Sequence, residues 1–167
     1  MRWLVDGYNL LRGVSCFANL ELQNPTKAKQ DLLNFLEAFH RATGEKVQVY
    51  FDRYSQTGNV PLQEEHGGIS VFYSRGGYTA DEEIMLQMRE QGEQALVVTS
   101  DREIQRAAKA SRCSYLEARE FYEGVMEILH QSTDDEDVIN SRLKGNAFRP
   151  REEKRKAFNR LKKFLQY

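Results

Sequence analysis

Short apolar runs alternate with longer amphipathic segments along this chain of 167 residues, and three of the runs lead into an aspartate. These runs and their aspartates are residues 3–5 with Asp6, 47–51 with Asp52, and 95–99 with Asp101. Short apolar runs that end in turn residues are typical of buried parallel strands. Because strands that alternate with helices form parallel sheets, the sequence predicts a single-domain α/β fold: a mostly parallel sheet with helices on both faces.

Further elements follow from the spacing of apolar residues and from capping signals. We expect additional strands at residues 69–73 and about 113–116. Helices are expected from Asn24-Pro25 to Gly44, from Thr79 to about Gly92, from 102 to about 111, from about 119 to 131, and from Pro150 to Tyr167. Residues 10–24 are predicted to be a loop, and residues 53–68 a loop with at most a short helix.

The apolar and charged fractions are those of an ordinary soluble globular protein, and a cytoplasmic location is expected. No apolar stretch approaches the roughly 18 residues that a membrane helix needs, so no membrane partner is expected. The first strand begins almost at Met1, so we expect no leader peptide. Residues 1–131 are interpreted as the body of the domain. Residues 132–167 are interpreted as an acidic linker and a basic helix packed on the same domain.

Four aspartates are expected to meet at one edge of the sheet. The carboxyl ends of parallel strands share an edge, which places Asp6, Asp52 and Asp101 there. Asp81 lies in the first turn of the helix that begins near residue 79, on its apolar stripe. Narrower interpretations remain open: Asp101 as a helix cap only, Asp52 as a turn residue, and Glu82 as part of a capping box.

A cation is expected among these acids, because carboxylates aimed at one edge repel each other without one. Magnesium or manganese suits an all-carboxylate site with water in the remaining positions. Such an ion can activate water and stabilise the charge that develops on a phosphate during hydrolysis. The sequence has neither a P-loop nor a GxSxG motif, and no organic cofactor is expected.

Five short motifs occur in order along the chain: Leu4-Val5-Asp6-Gly7-Tyr8-Asn9, Val49-Tyr50-Phe51-Asp52, Glu65-His66-Gly67, Thr79-Ala80-Asp81-Glu82 and Val98-Thr99-Ser100-Asp101. In this order they resemble the NYN branch of the PIN-like nucleases, and within it the bacterial YacP-like proteins. The resemblance covers about the first 120 residues of the chain. It rests on the order of the motifs and on their matching strand context.

The resemblance implies a Rossmann-like, PIN-like sheet and a divalent-metal-dependent endoribonuclease acting on single-stranded RNA. It implies that Asp6, Asp81 and Asp101 bind the metal. It also implies that Asn9 orients substrate or water, and that Asp52 belongs to the catalytic set in a less uniform role. The YacP-like relatives further imply messenger-RNA decay and an association with the ribosome.

Basic residues are concentrated at one end of the chain. Residues 142–163 contain ten lysines or arginines and two glutamates, whereas the rest of the chain has a net charge of −9. The final helix either only packs through Phe158, Leu161 and Leu165, or also holds RNA with its basic face by releasing counterions. The candidate RNA contacts, which include two arginines that follow aspartates, are Arg53, Arg102, Arg149, Arg151, Lys154, Arg155, Lys162 and Lys163.

Two other function classes fit the sequence less well. A non-catalytic RNA-binding or ribosome-associated adaptor would keep the fold, but it would gain little from acids that repel RNA. A metal-dependent phosphohydrolase of small molecules usually needs a nucleophilic aspartate or a phosphate-cradling loop. The sequence therefore favours the endoribonuclease.

Overall fold

Six strands form one sheet at the centre of the computed structural model, which describes residues 1–53, 62–132 and 151–165. The strands are β1 (Arg2–Asp6), β2 (Lys46–Phe51), β3 (Gln63–His66), β4 (Ile69–Tyr73), β5 (Ala95–Val98) and β6 (Ser114–Leu116). Their order in the sheet is β3-β4-β2-β1-β5-β6. Of these six, β3 is antiparallel to its neighbour and the others pair in parallel, which confirms the predicted fold class.

The centre of the sheet is apolar on both faces. In the register of β1, Val5 lies opposite Val49 of β2 and Val98 of β5, and all three side chains are fully buried. A parallel strand needs cover on both faces, so the continuous apolar run before Asp6 selects the central position. The residue at the end of β1 therefore lies at the centre of the sheet edge.

Seven α-helices are present in the described residues. They are α1 (Gly7–Gly13), α2 (Ser15–Gln23), α3 (Pro25–Thr43), α4 (Ala80–Gln91), α5 (Arg102–Ala110), α6 (Ala118–Ser132) and α7 (Arg151–Lys162). Helices α4 and α5 cover one face of the sheet, and the other five form a layer on the opposite face. None of the helices in these ranges combines the length and hydrophobicity needed to span a bilayer.

The alternation of side chains along β1 assigns residues to the two faces. Trp3 and Val5 pack in the core beneath the five-helix layer, whereas Leu4 packs in the core beneath α4 and α5. Because successive side chains of a strand point to opposite faces, Asp6 follows Leu4 and lies on the α4–α5 side.

The prediction of a loop at residues 10–24 is wrong. Helices α1 and α2 occupy most of this stretch and bury Leu10, Leu11 and Phe17. Gly13 ends α1, and a Cβ there would lie 3.1 Å from the Cβ of Ala118. Each helix is too short to show a clear helical period, which is why the apolar pattern did not reveal it.

Strand β3 was also missed, within the predicted loop at residues 53–68. Gln63, Glu64 and Glu65 are exposed, and the strand lies at the edge of the sheet. An edge strand that buries neither face has no alternating pattern to detect. Residues 54–61 of the predicted loop lie outside the described residues.

Helix α7 packs against α6 near the end of the chain. Gly124 makes room for it, because a Cβ at this position would lie 2.9 Å from the Cβ of Leu161. Leu161 and Leu165 are buried and Phe158 packs beside them. The predicted linker up to residue 150 lies mostly outside the described residues, and the division of the domain at residue 131 stays a prediction.

Candidate active site

Asp6 lies at the centre of the candidate site, at the carboxyl end of β1. Its Oδ1 accepts a hydrogen bond from the backbone N of Asn9 at 3.3 Å, so Asp6 caps α1. The carboxylate is 7% exposed. The pKa of Asp6 is raised to about 6. Burial is the main cause, and the negative charges of Asp81 and Asp101 contribute to the rise. Asp6 therefore lies where its ionised carboxylate is less stable than it would be in water.

Gly7 allows α1 to begin close to β2. A Cβ at Gly7 would lie 2.4 Å from Cε1 of Phe51, so the Phe51 ring occupies the space of a side chain. The same ring packs edge-on against Tyr8, with 5.2 Å between the ring centroids. These contacts fix the start of the helix that Asp6 caps.

Thr99 connects two of the acids. Its Oγ1 donates to Oδ2 of Asp6 at 3.1 Å and accepts from the backbone N of Asp101 at 3.1 Å. The side chain is fully buried. Thr99 belongs to the motif Val98-Thr99-Ser100-Asp101, but the motif alone predicts no role for its side chain. The signal that could have identified it is a single hydroxyl at the end of an otherwise apolar run.

Asn9 joins α1 to the segment after β5. Its Oδ1 accepts from the backbone N of Ser100 at 2.7 Å. A backbone N–H can only donate, so the atom that faces Ser100 is the amide oxygen, and Nδ2 is a donor on the other side of the group. The residue predicted to orient substrate or water thus has a fixed donor direction.

Asp101 caps α5, which is one of the two roles that the sequence suggested for it. Its Oδ1 accepts from the backbone N of Glu103 at 2.7 Å and of Ile104 at 3.3 Å. Both bonds use the same oxygen, so they leave Oδ2 for another partner. Capping and cation binding by Asp101 are therefore compatible.

Asp52 links β2 to the start of α4. Its Oδ1 accepts from the backbone N of Ala80 at 2.8 Å, which makes it more than a turn residue. Glu82 forms the predicted capping box with Thr79 at the same helix end. Together these bonds fix the first turn of α4, where Asp81 lies.

Asp81 is exposed, and its predicted place on the buried stripe of α4 is wrong. The stripe consists of Ala80, Ile84 and Met88. Asp81 lies next to it, at the rim of the site. Partial desolvation raises the pKa of Asp81, and the negative charges of Asp101 and Asp52 add to this effect. Asp81 accepts no hydrogen bond from the described residues.

The aspartates share the α4–α5 side of the carboxyl edge and interact through their charges. They do not form a ready ligand cage, since in the described ranges no three His, Cys, Asp or Glu side chains are grouped so that they could hold a metal ion. Asp6, Asp52 and Asp101 each bond to the start of a helix instead. The donors are nonetheless all carboxylates, the ligands that Mg²⁺ and Mn²⁺ prefer.

Comparison with known proteins identifies the family. The sequence matches the model of the YacP-like NYN domain over residues 3–165. The chain belongs to this family. The crystal structure of Rae1 (YacP) from Bacillus subtilis is similar, with 27% identity, a TM-score of 0.66, and coverage of 79% of this chain and 77% of that chain. A mutant of Rae1 gives 25% identity, a TM-score of 0.67, and coverage of 78% and 77%. No curated protein sequence matches significantly.

Membership in the YacP-like NYN family confirms the resemblance found in the sequence motifs and the PIN-like fold. The family model extends to residue 165, whereas the resemblance rested on about the first 120 residues. The basic end of the chain thus falls within the YacP-like match, although its residues were not recognised as such. The family is nuclease-like, which implies RNA as the substrate class.

The candidate RNA-binding residues of this YacP-like chain differ in their surroundings. Those with exposed side chains are Arg102, Arg155, Lys162 and Lys163. Arg53 is half-buried, and its backbone N donates to Oγ of Ser74 at 3.1 Å. Arg149 lies outside the described residues, and Arg151 and Lys154 are described only as backbone positions of α7. Helix α7 belongs to the five-helix layer, on the opposite face from the acids.

The raised pKa of Asp6 predicts how the stability of the metal-free protein depends on pH. The folded-state pKa, about 6, exceeds the unfolded value of 3.8, so the unfolded state loses this proton first. The free energy of unfolding should therefore fall as the pH rises from about 4 to about 6, by about 2 kcal/mol from this group. Asp6→Asn should show a shallower fall. Urea unfolding in EDTA at several pH values checks this, and equal slopes would contradict it.

Proposed function

We propose that this protein is a divalent-metal-dependent endoribonuclease that cleaves single-stranded RNA. The observation that carries the proposal is the buried Asp6 carboxylate, whose pKa is raised beside Asp81 and Asp101. A buried carboxylate costs free energy unless it is neutralised or binds a cation, and such costs are concentrated at functional sites. A nuclease-like family and an edge lined by acids support the same conclusion.

The proposed ligands of magnesium or manganese are Asp6, Asp81 and Asp101, with water in the remaining positions. Two observations support metal binding by these residues. Asp81 is exposed, and the helix cap made by Asp101 uses its Oδ1 and not its Oδ2. When bound, the ion would supply an activated water and offset the charge that develops on the phosphate.

The other site residues position these groups. Thr99 holds Asp6 and the backbone of Asp101 together through one hydroxyl. Asp52 anchors the start of α4 and so fixes the residue before Asp81. Asn9, with its oxygen held by Ser100, can donate from Nδ2 to a phosphate oxygen or to water. Each of these bonds restrains the site before substrate arrives, which lowers the cost of reaching a reactive geometry.

The proposed cellular substrate is messenger RNA in the cytoplasm, and the proposed partner is the ribosome. The acids repel the RNA backbone, so the attraction must come from elsewhere on the protein. The exposed basic residues of α7 are on the opposite face from the acids. We infer that they hold a distant part of the RNA, or ribosomal RNA, rather than the phosphate that is cleaved.

The chemistry predicts the ends of the products. The three histidines lie on α3, β3 and α6 and not at the carboxyl end of β1; His40 bonds to the backbone of Glu45 and His66 to Asn34. Attack by water on phosphorus with breakage of the bond to the 3′-oxygen, which leaves with a proton, should give a 5′-phosphate and a 3′-hydroxyl. The test is mass spectrometry of an unstructured RNA incubated with the protein, with manganese or with EDTA.

Each outcome of this experiment is distinct. Cleavage with manganese and none with EDTA, with 5′-phosphate ends, is the expected result. A 2′,3′-cyclic phosphate would mean that the 2′-hydroxyl is the nucleophile, which excludes this mechanism. Binding of the RNA with no cleavage in any divalent ion would favour the non-catalytic adaptor.

A further inference from the structure

A tight turn before α4 presents an exposed aromatic ring three residues before Asp81. The backbone N of Tyr78 donates to the carbonyl of Arg75 at 2.9 Å, and Gly77 has a φ of 86°. These values are those of a type II turn, which needs glycine at its third position. The Tyr78 side chain is 54% exposed, one of few large apolar side chains so exposed in the described residues.

The Tyr78 ring lies near an ion pair formed by Arg75 and Glu83. The Arg75 guanidinium lies 5.3 Å from the centroid of the Tyr78 ring. Its Nε and Nη2 donate to the two carboxylate oxygens of Glu83 on α4, at 2.6 and 3.0 Å. A bidentate pair of this kind fixes the plane of the guanidinium. Turn, cation and helix together hold the ring in place while it stays open to solvent.

The chain limits how far Tyr78 can lie from Asp81. Thr79, the next residue, caps α4, and Asp81 lies in the first turn of that helix. The bond from Asp52 to Ala80 ties the same helix end to β2. Tyr78 therefore lies at the N-terminal end of α4, three residues before Asp81, and three residues span at most about 10 Å.

We propose that Tyr78 is a stacking platform for one unpaired base of the RNA, close to the phosphate that is cleaved. This inference rests on the proposed function. The chain that follows Tyr78 carries three acids, Asp81, Glu82 and Glu83, and the nearby Arg75 guanidinium is already paired with Glu83, so this place suits a phosphate poorly. The π-face of a base carries no net charge, so stacking can hold the strand beside acids that repel its phosphates.

This role also accounts for selection of single-stranded RNA. A base in a duplex is stacked and paired, and its face is not available to a protein ring. Every base has a π-face, so the platform selects unpaired nucleotides with little preference for their sequence. The ring is held before RNA binds, and little side-chain entropy is lost on stacking.

The test is a binding cycle between the ring and the bases. Fluorescence anisotropy in EDTA measures the affinity of a short unstructured RNA, and of a series in which each base in turn is removed. Wild type should bind one member of the abasic series about 10-fold more weakly than the intact RNA. Tyr78→Ala should bind intact RNA about 10-fold more weakly and lose the difference at that position.

Matched variants separate stacking from other effects. Tyr78→Phe keeps the ring and should bind like wild type, whereas Tyr78→Leu keeps apolar bulk only and should bind like Tyr78→Ala. Leu22→Ala, which removes another exposed apolar side chain on α2, should have no effect. Unchanged binding by Tyr78→Ala, an equal loss for every abasic RNA, or no RNA binding by wild type would each overturn the inference. Absence of cleavage by wild type that still shows the stacking difference would refute only the proposed nuclease function.

Discussion

Asp6→Asn is expected to lower the rate of RNA cleavage by at least about 100-fold while the protein stays folded. The side chain is nearly isosteric, so Oδ1 can still accept from the backbone N of Asn9. The Thr99 hydroxyl can rotate and accept from the new amide, because hydroxyls are both donors and acceptors. The loss would therefore reflect the missing negative charge. Initial rates on an unstructured RNA with manganese measure it.

A matched control isolates the effect of position. Asp31→Asn makes the same chemical change on α3, where Asp31 pairs with Lys27 at 2.8 Å on the surface. Its cleavage rate should equal that of wild type, since an exposed pair contributes little to stability and lies outside the site. An Asp6→Asn variant that is folded and as active as Asp31→Asn would refute the role of Asp6.

Reversing three charges at the end of the chain, two on α7 and one at Lys163 directly after it, should have the second large effect. Arg155→Glu, Lys162→Glu and Lys163→Glu together should weaken RNA binding roughly 100-fold at low salt, because each lost phosphate contact also loses its counterion release. The slope of log affinity against log salt should fall by about 2, since single strands give about 0.7 per contact. Anisotropy across a salt series measures both quantities. These side chains are exposed, so the fold should be retained.

The control for this variant carries the same change in net charge. The control variant replaces three exposed basic residues of α4 and α5 and carries Arg89→Glu, Arg106→Glu and Lys109→Glu together. If binding depends on α7, this control should lose much less affinity and keep most of its salt slope. Equal losses in the two triple variants would show that net charge matters and that α7 has no special role. Wild-type binding by the α7 variant would leave α7 as a packed helix with a solvated face.

The parts of the fold that were predictable are those with one clear physical signal. Strands β1, β2 and β5 are apolar runs buried on both faces, and α3 begins with an Asn–Pro cap and ends at Gly44. Helix α1 lacks such a signal, since a short helix between two glycines depends on contacts with β2 and α6 that are distant in sequence. Those contacts exist only once the sheet has formed.

The same distinction holds for the candidate site. The aspartates that follow strands were identified because parallel topology brings strand ends together. The cap that Asp6 forms depends on α1, and the bridge made by Thr99 depends on the register between β1 and β5. The apolar pattern placed Asp81 on the buried stripe of α4, but Asp81 lies next to that stripe. A helical stripe is wide enough for the pattern to include its neighbours. Sequence thus identified the acids, and the folded structure supplied the bonds that orient them.

The central claim is that the acids at this edge form a divalent metal site, and a calorimetric titration tests it most directly. Manganese is titrated into wild type, Asp81→Asn and the control Asp31→Asn. Asp81 is exposed and accepts no hydrogen bond within the described residues, so its replacement should leave the fold intact. We predict that wild type and Asp31→Asn bind manganese with equal affinity and that Asp81→Asn binds at least about 10-fold more weakly. Equal affinity in all three proteins, or no binding by wild type, would contradict the account.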